Sequence, residues 1–274
     1  MKFSGEWIAL CREAAISGQS ISLGLNSLRK ANCAMTGLYS YAFFSLSIGF
    51  ERLLKLIFLI DHKIKNGEYP EEKKFREDFN HDIYKLYKYA LTVHKRLPNK
   101  EKRYEISSNG IENNILIFLS KFAKTTRYYN LNYLSDRDKK SFLDPISEWY
   151  NNIGKQIIDN HYSIKQKQKD NIQATKAQKF YGDFVLVRHT AEDGSSLDDL
   201  ESLIRQSDNN KIVQKYGTFY CAKIARFLYI ILHDISFEAR KHDFEIPYLD
   251  EMFFPFMNED KYLLSRKTFP PRGQ

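Results

Sequence analysis

The chain has 274 residues, of which 43% are hydrophobic and 28% are charged, and it carries 20 Phe and 18 Tyr but only 12 Gly and 7 Pro. This composition excludes collagen-like, low-complexity and disordered chains, and it disfavours a turn-rich β-sandwich. The formal net charge of +8 favours contact with polyanions such as nucleic acid.

Helical periodicity dominates the first part of the chain. Apolar residues recur at helical spacing over residues 7–30, which predicts one helix or two helices broken near Gly18. Residues 41–65 are apolar around most of the helix circumference, so we predict a central buried helix that ends at Asn66-Gly67. Three charged residues within its apolar part argue against a membrane span: Glu51, Arg52 and Lys55.

The middle of the chain predicts further helices. Asn80 is predicted to cap a helix over residues 83–96, and another helix is predicted over residues 111–123. Asp144 followed by Pro145 is the pattern of an N-cap and a first helical residue, and it predicts a long helix over residues 146–168.

Residues 176–195 have the weakest helical pattern. Within them, the Phe-Val-Leu-Val segment at 184–187 predicts a short strand or an extended loop. Ser196 and Asp199 then predict a capping box for a short helix over residues 197–204.

The C-terminal part is predicted to contain a long helix over residues 211–242 and an aromatic tail. No linker rich in Gly, Ser or Pro divides the chain. We therefore predict an all-α protein, with a helical bundle over residues 1–175 and an extension over residues 176–274 that packs on it. The tail from 252 to 269 either covers its own core or offers a surface to a protein partner.

The three cysteines, Cys11, Cys33 and Cys221, lie far apart, and none belongs to a CxxC pair. The sequence therefore predicts neither a disulfide framework nor a zinc site, and we expect a reduced, cytoplasmic protein. The chain contains no P-loop, no GxGxxG after a strand, no HExxH and no GxSxG pattern. We predict no metal and no cofactor.

Three short patterns occur in order along the predicted helices. They are Phe50-Glu51-Arg52-Leu53-Leu54-Lys55, His81-Asp82-Ile83 and Thr126-Arg127-Tyr128-Tyr129. In this order they resemble the HEPN superfamily (higher eukaryotes and prokaryotes nucleotide-binding), whose members carry a Glu-Lys/Arg-x-Leu-Lys helix, a His-Asp-Leu step and an Arg-Tyr step. The resemblance covers residues 5–165. It implies a helical bundle that forms a homodimer.

HEPN proteins are often metal-independent ribonucleases of toxin and antiviral-defence systems, with an Arg followed by a His after four to six residues. Arg76 and His81 satisfy this spacing. The resemblance thus implies an endoribonuclease in which His81 transfers protons and Arg76 stabilises phosphate charge. Arg127 and Tyr128 are expected to bind phosphate and stack on an unpaired base, and Asp82 is the further predicted binding residue. The implied substrate is RNA.

The chemistry of these residue types fits RNA cleavage, but it leaves alternatives open. Histidine carries protons near pH 7. With Asn80 as the cap, we expect His81 in the first turn of the helix, where the helix dipole favours anions. Alternatively, His81 and Asp82 only cap and pack that helix. Glu51 and Lys55 have the spacing and order of a favourable helical ion pair; alternatively, on so apolar a helix, they face a buried network or a dimer partner.

Two further alternatives concern the whole protein. Glu77 follows Arg76 where the family's nucleases often carry a small polar residue or histidine, so a non-catalytic HEPN-like module that binds a nucleotide, nucleic acid or partner protein is the second hypothesis. A purely structural helical protein is the third. Arg226 and His233 also match the Arg–His spacing, but they lie on a mainly apolar helix, and we interpret them as structural.

Overall fold

The computed structural model describes residues 3–71, 79–97, 104–135 and 143–271. In these parts of the chain the secondary structure is helical apart from one sheet of two short strands. The prediction of an all-α fold is confirmed.

The helices are named in chain order. They are α1 (Gly5–Leu28), α2 (Gly37–Asn66), α3 (Ile83–Arg96), α4 (Ile111–Lys124), α5 (Tyr129–Ser135), α6 (Pro145–Trp149), α7 (Lys155–His161), α8 (Ile164–Tyr181), α9 (Leu200–Lys241), α10 (Asp250–Phe253) and α11 (Asp260–Ser265). Short 3-10 turns occupy Thr126–Tyr128, Gly182–Phe184 and Phe254–Phe256, and a π-helical turn at Tyr150–Gly154 joins α6 to α7. The strands β1 (His189–Thr190) and β2 (Ser196–Leu197) pair antiparallel.

The helices α1 and α2 form a tightly packed antiparallel pair. Each is continuous, and α2 ends as predicted, because Gly67 takes the left-handed conformation (φ 79°) that closes the last turn. A Cβ atom at Gly49 would lie 2.6 Å from Ile21 Cγ1 and 2.9 Å from its backbone nitrogen. The missing side chain therefore lets the two backbones approach closely.

Aromatic side chains fill the space between α2, α4 and α6. The ring of Phe43 lies 4.8 Å from that of Phe118, 5.5 Å from Phe122 and 5.3 Å from Trp149, centre to centre. All four side chains are buried. One continuous hydrophobic core extends from Leu10 in α1 to Phe269 in the C-terminal tail, so residues on both sides of position 175 share it.

The long helix α9 runs through the molecule and contacts α1, α2, α3, α4, α7 and α8. The prediction of a short helix at 197–204 and a separate one at 211–242 is wrong, because α9 spans 42 residues without a break. Two residues of the polar stretch between the two predicted helices, Gln206 and Asn210, are buried in a hydrogen-bond network. Gln206 and Asn210 both donate to the buried carboxylate of Glu192. Asp199 caps α9, and Ser202 completes the capping box.

The predicted helix over residues 146–168 is also wrong in its extent. Asp144 caps α6 as expected and Pro145 is its first residue, but α7 ends at His161. Ser163 then accepts a hydrogen bond from the Gln166 N–H at 3.3 Å and starts α8 as a new helix.

The irregular segment begins later than expected, since α8 continues to Tyr181. Of the two alternatives predicted for residues 184–187, the strand is wrong, and from Val185 onward the chain is an extended loop (φ −125°, ψ 122° at Val185). The paired residues are His189–Thr190 and Ser196–Leu197. Within the described residues, every helix is either too short or too polar to cross a membrane.

Candidate active-site cleft

An open cleft of about 370 Å³ lies between α2 and α4, and we name it the α2–α4 cleft. Helix α1, the turn before α3 and the turn after α4 complete its walls. Its lining residues are Glu13, Phe44, Ser47, Ile48, Glu51, Arg52, Lys55, His81, Phe122, Ala123 and Arg127. Two residues of the predicted site, His81 and Arg127, therefore meet in one cavity together with charged residues of the central helix.

His81 lies in the turn that precedes α3. The predicted cap at Asn80 is wrong, since the Asp82 carboxylate accepts the Lys85 N–H at 3.0 Å and caps the helix. His81 is thus outside the first turn, and its backbone is left-handed (φ 62°). A non-glycine residue in this conformation is uncommon and is found more often at functional sites. The imidazole lines the cleft, and 56% of the side chain is exposed.

Glu51 holds the imidazole of His81. The distance from His81 Nδ1 to Glu51 Oε1 is 3.0 Å, and that to Oε2 is 3.2 Å. Because a carboxylate only accepts hydrogen bonds, this contact requires Nδ1 as the donor, and in a neutral imidazole Nε2 is then left as the acceptor. This is the tautomer that a general base requires, with a carboxylate orienting it.

Lys55 completes this group on the same helix. Its Nζ lies 2.5 Å from Glu51 Oε1, one helical turn away, and the Glu51 side chain is only 12% exposed. A partly buried carboxylate between a cation and an imidazole is held in place by its contacts with both, which restrict its rotamer. The pair predicted from sequence thus lines the cleft and supports His81.

Two arginines bring positive charge to the same cleft. Arg52 Nη1 bonds both oxygens of Glu13, at 2.5 and 2.8 Å, and so joins α2 to α1. Arg127 follows α4, and its guanidinium lies 5.1 Å from the centre of the Tyr128 ring. With Lys55 there are three cations against the two carboxylates of Glu13 and Glu51. The rim is therefore mildly basic even with a neutral imidazole.

Four of the residues that line the cleft are apolar. Phe44 and Phe122 meet edge to face, with ring centres 5.2 Å apart, and Ile48 and Ala123 lie beside them. A cleft lined by both charged and apolar side chains suits a ligand with both an anionic group and a flat or apolar part.

Asp82 and Tyr128, two of the predicted binding residues, do not line this cleft. The Asp82 carboxylate accepts hydrogen bonds from Ser120 Oγ at 2.9 Å and Lys124 Nζ at 2.8 Å in addition to its capping bond. Burial alone would raise the pKa of Asp82, but the bonds from Lys124, Lys85 and Ser120 outweigh it and hold the pKa below its usual value. Tyr128 stands beside Arg127 with half of its surface exposed.

The remaining residues of the two predicted Arg–His pairs are Arg76, Arg226 and His233. Arg76 belongs to residues 72–78, which lie outside the described residues. Arg226 is buried and bonds the Asn258 carbonyl at 2.6 Å, and its guanidinium stacks 4.0 Å from the centre of the Tyr104 ring. His233 bonds the Asp250 carboxylate at 2.9 Å. These two residues fix the C-terminal segment to α9, which is a structural role.

The sequence did not assign Glu13, Arg52 or the orienting role of Glu51. The available signal was the presence of charged residues within an otherwise apolar helix, which favours a polar site or interface over a plain core. Among the described residues there is no group of three or more His, Cys, Asp or Glu that could hold a metal ion.

Comparisons with protein-family models, curated proteins and solved structures found no match. The HEPN resemblance therefore stays a prediction that rests on its three local patterns. All three of them contribute a residue to the α2–α4 cleft.

Proposed function

We propose that the protein is an HEPN-like endoribonuclease that cleaves single-stranded RNA in the α2–α4 cleft without a metal ion. The observation that carries this proposal is the hydrogen bond between Glu51 and an exposed His81 in a cleft with a basic rim. An oriented imidazole next to cations is the arrangement that transfer of a proton near a phosphate requires.

In the proposed reaction, His81 Nε2 takes the proton of a ribose 2′-hydroxyl. The 2′-oxygen attacks the adjacent phosphorus, and the bond to the 5′-oxygen of the next nucleotide breaks. That oxygen takes a proton from solvent, so the products are a 2′,3′-cyclic phosphate and a free 5′-hydroxyl. The Glu51 carboxylate stabilises the imidazolium that His81 becomes, because opposite charges lie within hydrogen-bond distance.

The cations of the cleft take up the charge of the phosphate. Arg127 and Lys55 lie in the same cavity as His81. Arg52 is positioned by Glu13 and contributes its remaining N–H donors. The resemblance adds Arg76 as the residue expected to bind the phosphate next to His81.

The proposal extends to the setting of the reaction. The HEPN resemblance implies a homodimer that acts on RNA in the cytoplasm, in bacterial antiviral defence or a toxin system. Expression of an active enzyme is then expected to slow bacterial growth and degrade cellular RNA. Light scattering on the purified protein measures the oligomeric state directly.

The test uses the purified full-length protein, a labelled single-stranded RNA and a buffer with EDTA. We expect cleavage that leaves 2′,3′-cyclic phosphate ends, and no cleavage of the same sequence with 2′-O-methyl groups. His81→Ala is expected to lower the rate by about 100-fold or more, the usual contribution of a general base. His189→Ala, which removes an exposed imidazole elsewhere, is the matched control.

Two results contradict the proposal. One is wild-type protein that leaves the RNA intact and is not toxic in cells. The other is cleavage that His81→Ala does not change. Binding of RNA or nucleotide without any cleavage would favour the non-catalytic module instead.

A further inference from the structure

Helix α8 is the most exposed long helix in the described part of the chain. Of its 18 residues, Ala174 is the one that is fully buried, where the helix rests on α9. A helix that is polar on nearly all sides buries little surface and lies mostly in solvent. Five lysines in this helix account for most of the local basic excess: Lys165, Lys167, Lys169, Lys176 and Lys179.

Four of these lysines share one face. At 100° per residue, Lys165, Lys169, Lys176 and Lys179 all lie within about 40° of the direction opposite Ala174. They cover about 21 Å of helix length at 1.5 Å per residue. All four side chains are exposed. We name them the α8 lysine stripe.

Little negative charge opposes the stripe within α8. Its one acidic residue is Asp170, which is partly buried. The two Asp170 oxygens accept hydrogen bonds from Tyr162 Oη at 2.7 Å and Gln166 Nε2 at 2.8 Å. The carboxylate is therefore directed to these partners, on the side of α8 that faces the body of the protein.

Aromatic side chains follow the stripe where α8 ends. Phe180 and Tyr181 are 67% and 63% exposed, and Phe184 in the next turn is 85% exposed. Lone exposed apolar residues are common, but three large rings within five positions are not. Rings of this kind are the surfaces on which unpaired bases stack.

We propose that the α8 lysine stripe and the rings of Phe180, Tyr181 and Phe184 form a second surface that binds single-stranded RNA. The lysines contact successive phosphates, and the rings stack on bases at one end of the stripe. This surface is separate from the α2–α4 cleft. It extends the proposed function by holding a long RNA while another part of the strand is cut.

The distribution of apolar residues along α8 argues against insertion of this helix into an anionic membrane. Ile164, Ile172 and Phe180 are exposed, but they are spaced by eight residues, so each is turned by about 80° from the one before. Along α8 they wind around the helix and form no continuous apolar face; the exposed apolar cluster of Phe180, Tyr181, Phe184, Val185 and Leu186 lies at the C-terminal end of the helix and just beyond it. A helix that inserts into a bilayer surface needs such a face.

The test measures the affinity for a labelled 2′-O-methyl RNA of about 20 nucleotides, longer than the site of one small binding module. This probe resists the proposed cleavage. The stripe variant carries Lys→Gln at all four positions, which keeps helix propensity nearly constant. The control variant has the same change in charge at four exposed lysines outside α8: Lys30, Lys95, Lys261 and Lys267.

The salt dependence of binding gives the decisive quantity. For a single strand, each phosphate contact contributes about −0.7 to the slope of log affinity against log salt concentration. Losing four contacts therefore reduces the magnitude of the slope by about 2.8. We expect this loss in the stripe variant and a much smaller one in the control variant. Equal slopes for the two variants would overturn the proposal, as would anionic phosphatidylserine vesicles binding better than the RNA probe.

The rings are tested by Phe184→Ala. We expect it to weaken binding about fivefold or more without changing the salt slope, because stacking does not depend on released counterions. An unchanged affinity would remove the rings from the proposed surface. These experiments distinguish failure of the second RNA-binding surface from failure of the proposed nuclease function. RNA that binds through the stripe but is never cut contradicts only the nuclease, and cleavage with equal slopes contradicts only the stripe.

Discussion

Replacement of Gly49 by alanine tests the close approach of α1 and α2, on which the shape of the cleft depends. The new Cβ would lie 2.6 Å from Ile21 Cγ1, 2.9 Å from Ile21 N and 3.1 Å from Ser17 O. Two of these atoms belong to the α1 backbone, so a change of side-chain rotamer cannot relieve the overlap. The helices must move apart, which also strains the hydrogen bond from Ser17 Oγ to the Gly49 carbonyl at 2.8 Å.

Three effects set the size of the loss. Overpacking costs about 1–3 kcal/mol, and weakening one buried hydrogen bond adds about 1 kcal/mol. Replacing a helical glycine by alanine returns about 1 kcal/mol. The net expectation is a loss of about 2 kcal/mol, which lowers the Tm of a chain of this size by about 5 °C.

Thermal unfolding followed by far-UV circular dichroism measures this shift. Gly37→Ala is the matched control, since Gly37 also lies in α2 but nothing lies within 4 Å of its added Cβ. Its Tm is expected to equal or exceed that of the wild type. A Gly49→Ala variant as stable as this control would refute the close packing of α1 on α2.

Three further predictions concern single side chains. Glu51→Gln is expected to slow RNA cleavage about tenfold in a single-turnover assay. The Glu51 carboxylate lies 3.0 Å from His81 Nδ1 and stabilises the imidazolium charge by about 1.4 kcal/mol even at the dielectric constant of water. An unchanged cleavage rate would contradict the role of Glu51 in orienting and stabilising His81. Asp82→Ala should cost about 1 kcal/mol of unfolding free energy at pH 7. Since the folded-state pKa of Asp82 is lowered, that stabilisation is present above its unfolded pKa and is lost as the pH falls through the folded value, so the difference from wild type in urea titrations should narrow below about pH 4. Arg226→Ala should lower the free energy of unfolding by about 2–4 kcal/mol. Arg226→Lys should not restore this stability, because a lysine cannot bond the Asn258 carbonyl and Asp260 while stacking on Tyr104. Wild-type stability of the lysine variant in the same urea titrations would contradict this prediction.

The helix ends that sequence predicted correctly are those set by local chemistry. Gly67 closes α2, and the Asp144–Pro145 pair opens α6. In each case a residue within one turn of the end satisfies the free backbone groups. Such signals need no knowledge of the rest of the fold, so a single sequence is sufficient to find them.

The unbroken length of α9 was missed for a tertiary reason. Its polar stretch contains Gln206 and Asn210, and the partner of both is Glu192, in the turn between β1 and β2. Apolar periodicity counts polar residues as exposed, so it predicts a break at a stretch in which two amide side chains are in fact buried. Only the position of Glu192 in space reveals that these amides belong to the interior.

The candidate site was predicted only in part, because one of its main contacts joins residues that are far apart in the sequence. The order of the motifs pointed to His81 and Arg127, and both line the cleft. The hydrogen bond to Glu51 was not predicted, because it joins two residues 30 positions apart. It also depends on the left-handed turn at His81, which the expected cap at Asn80 did not anticipate.

The unbroken course of α9 restricts how this chain tolerates insertions and deletions. Adding or removing one residue near Gly217 would rotate every later side chain of the helix by about 100°. Phe227, now sealed inside the protein, would then be turned toward another environment together with its neighbours. Length variation among related chains is therefore expected in the connections between helices, while the spacing along α9 stays constant.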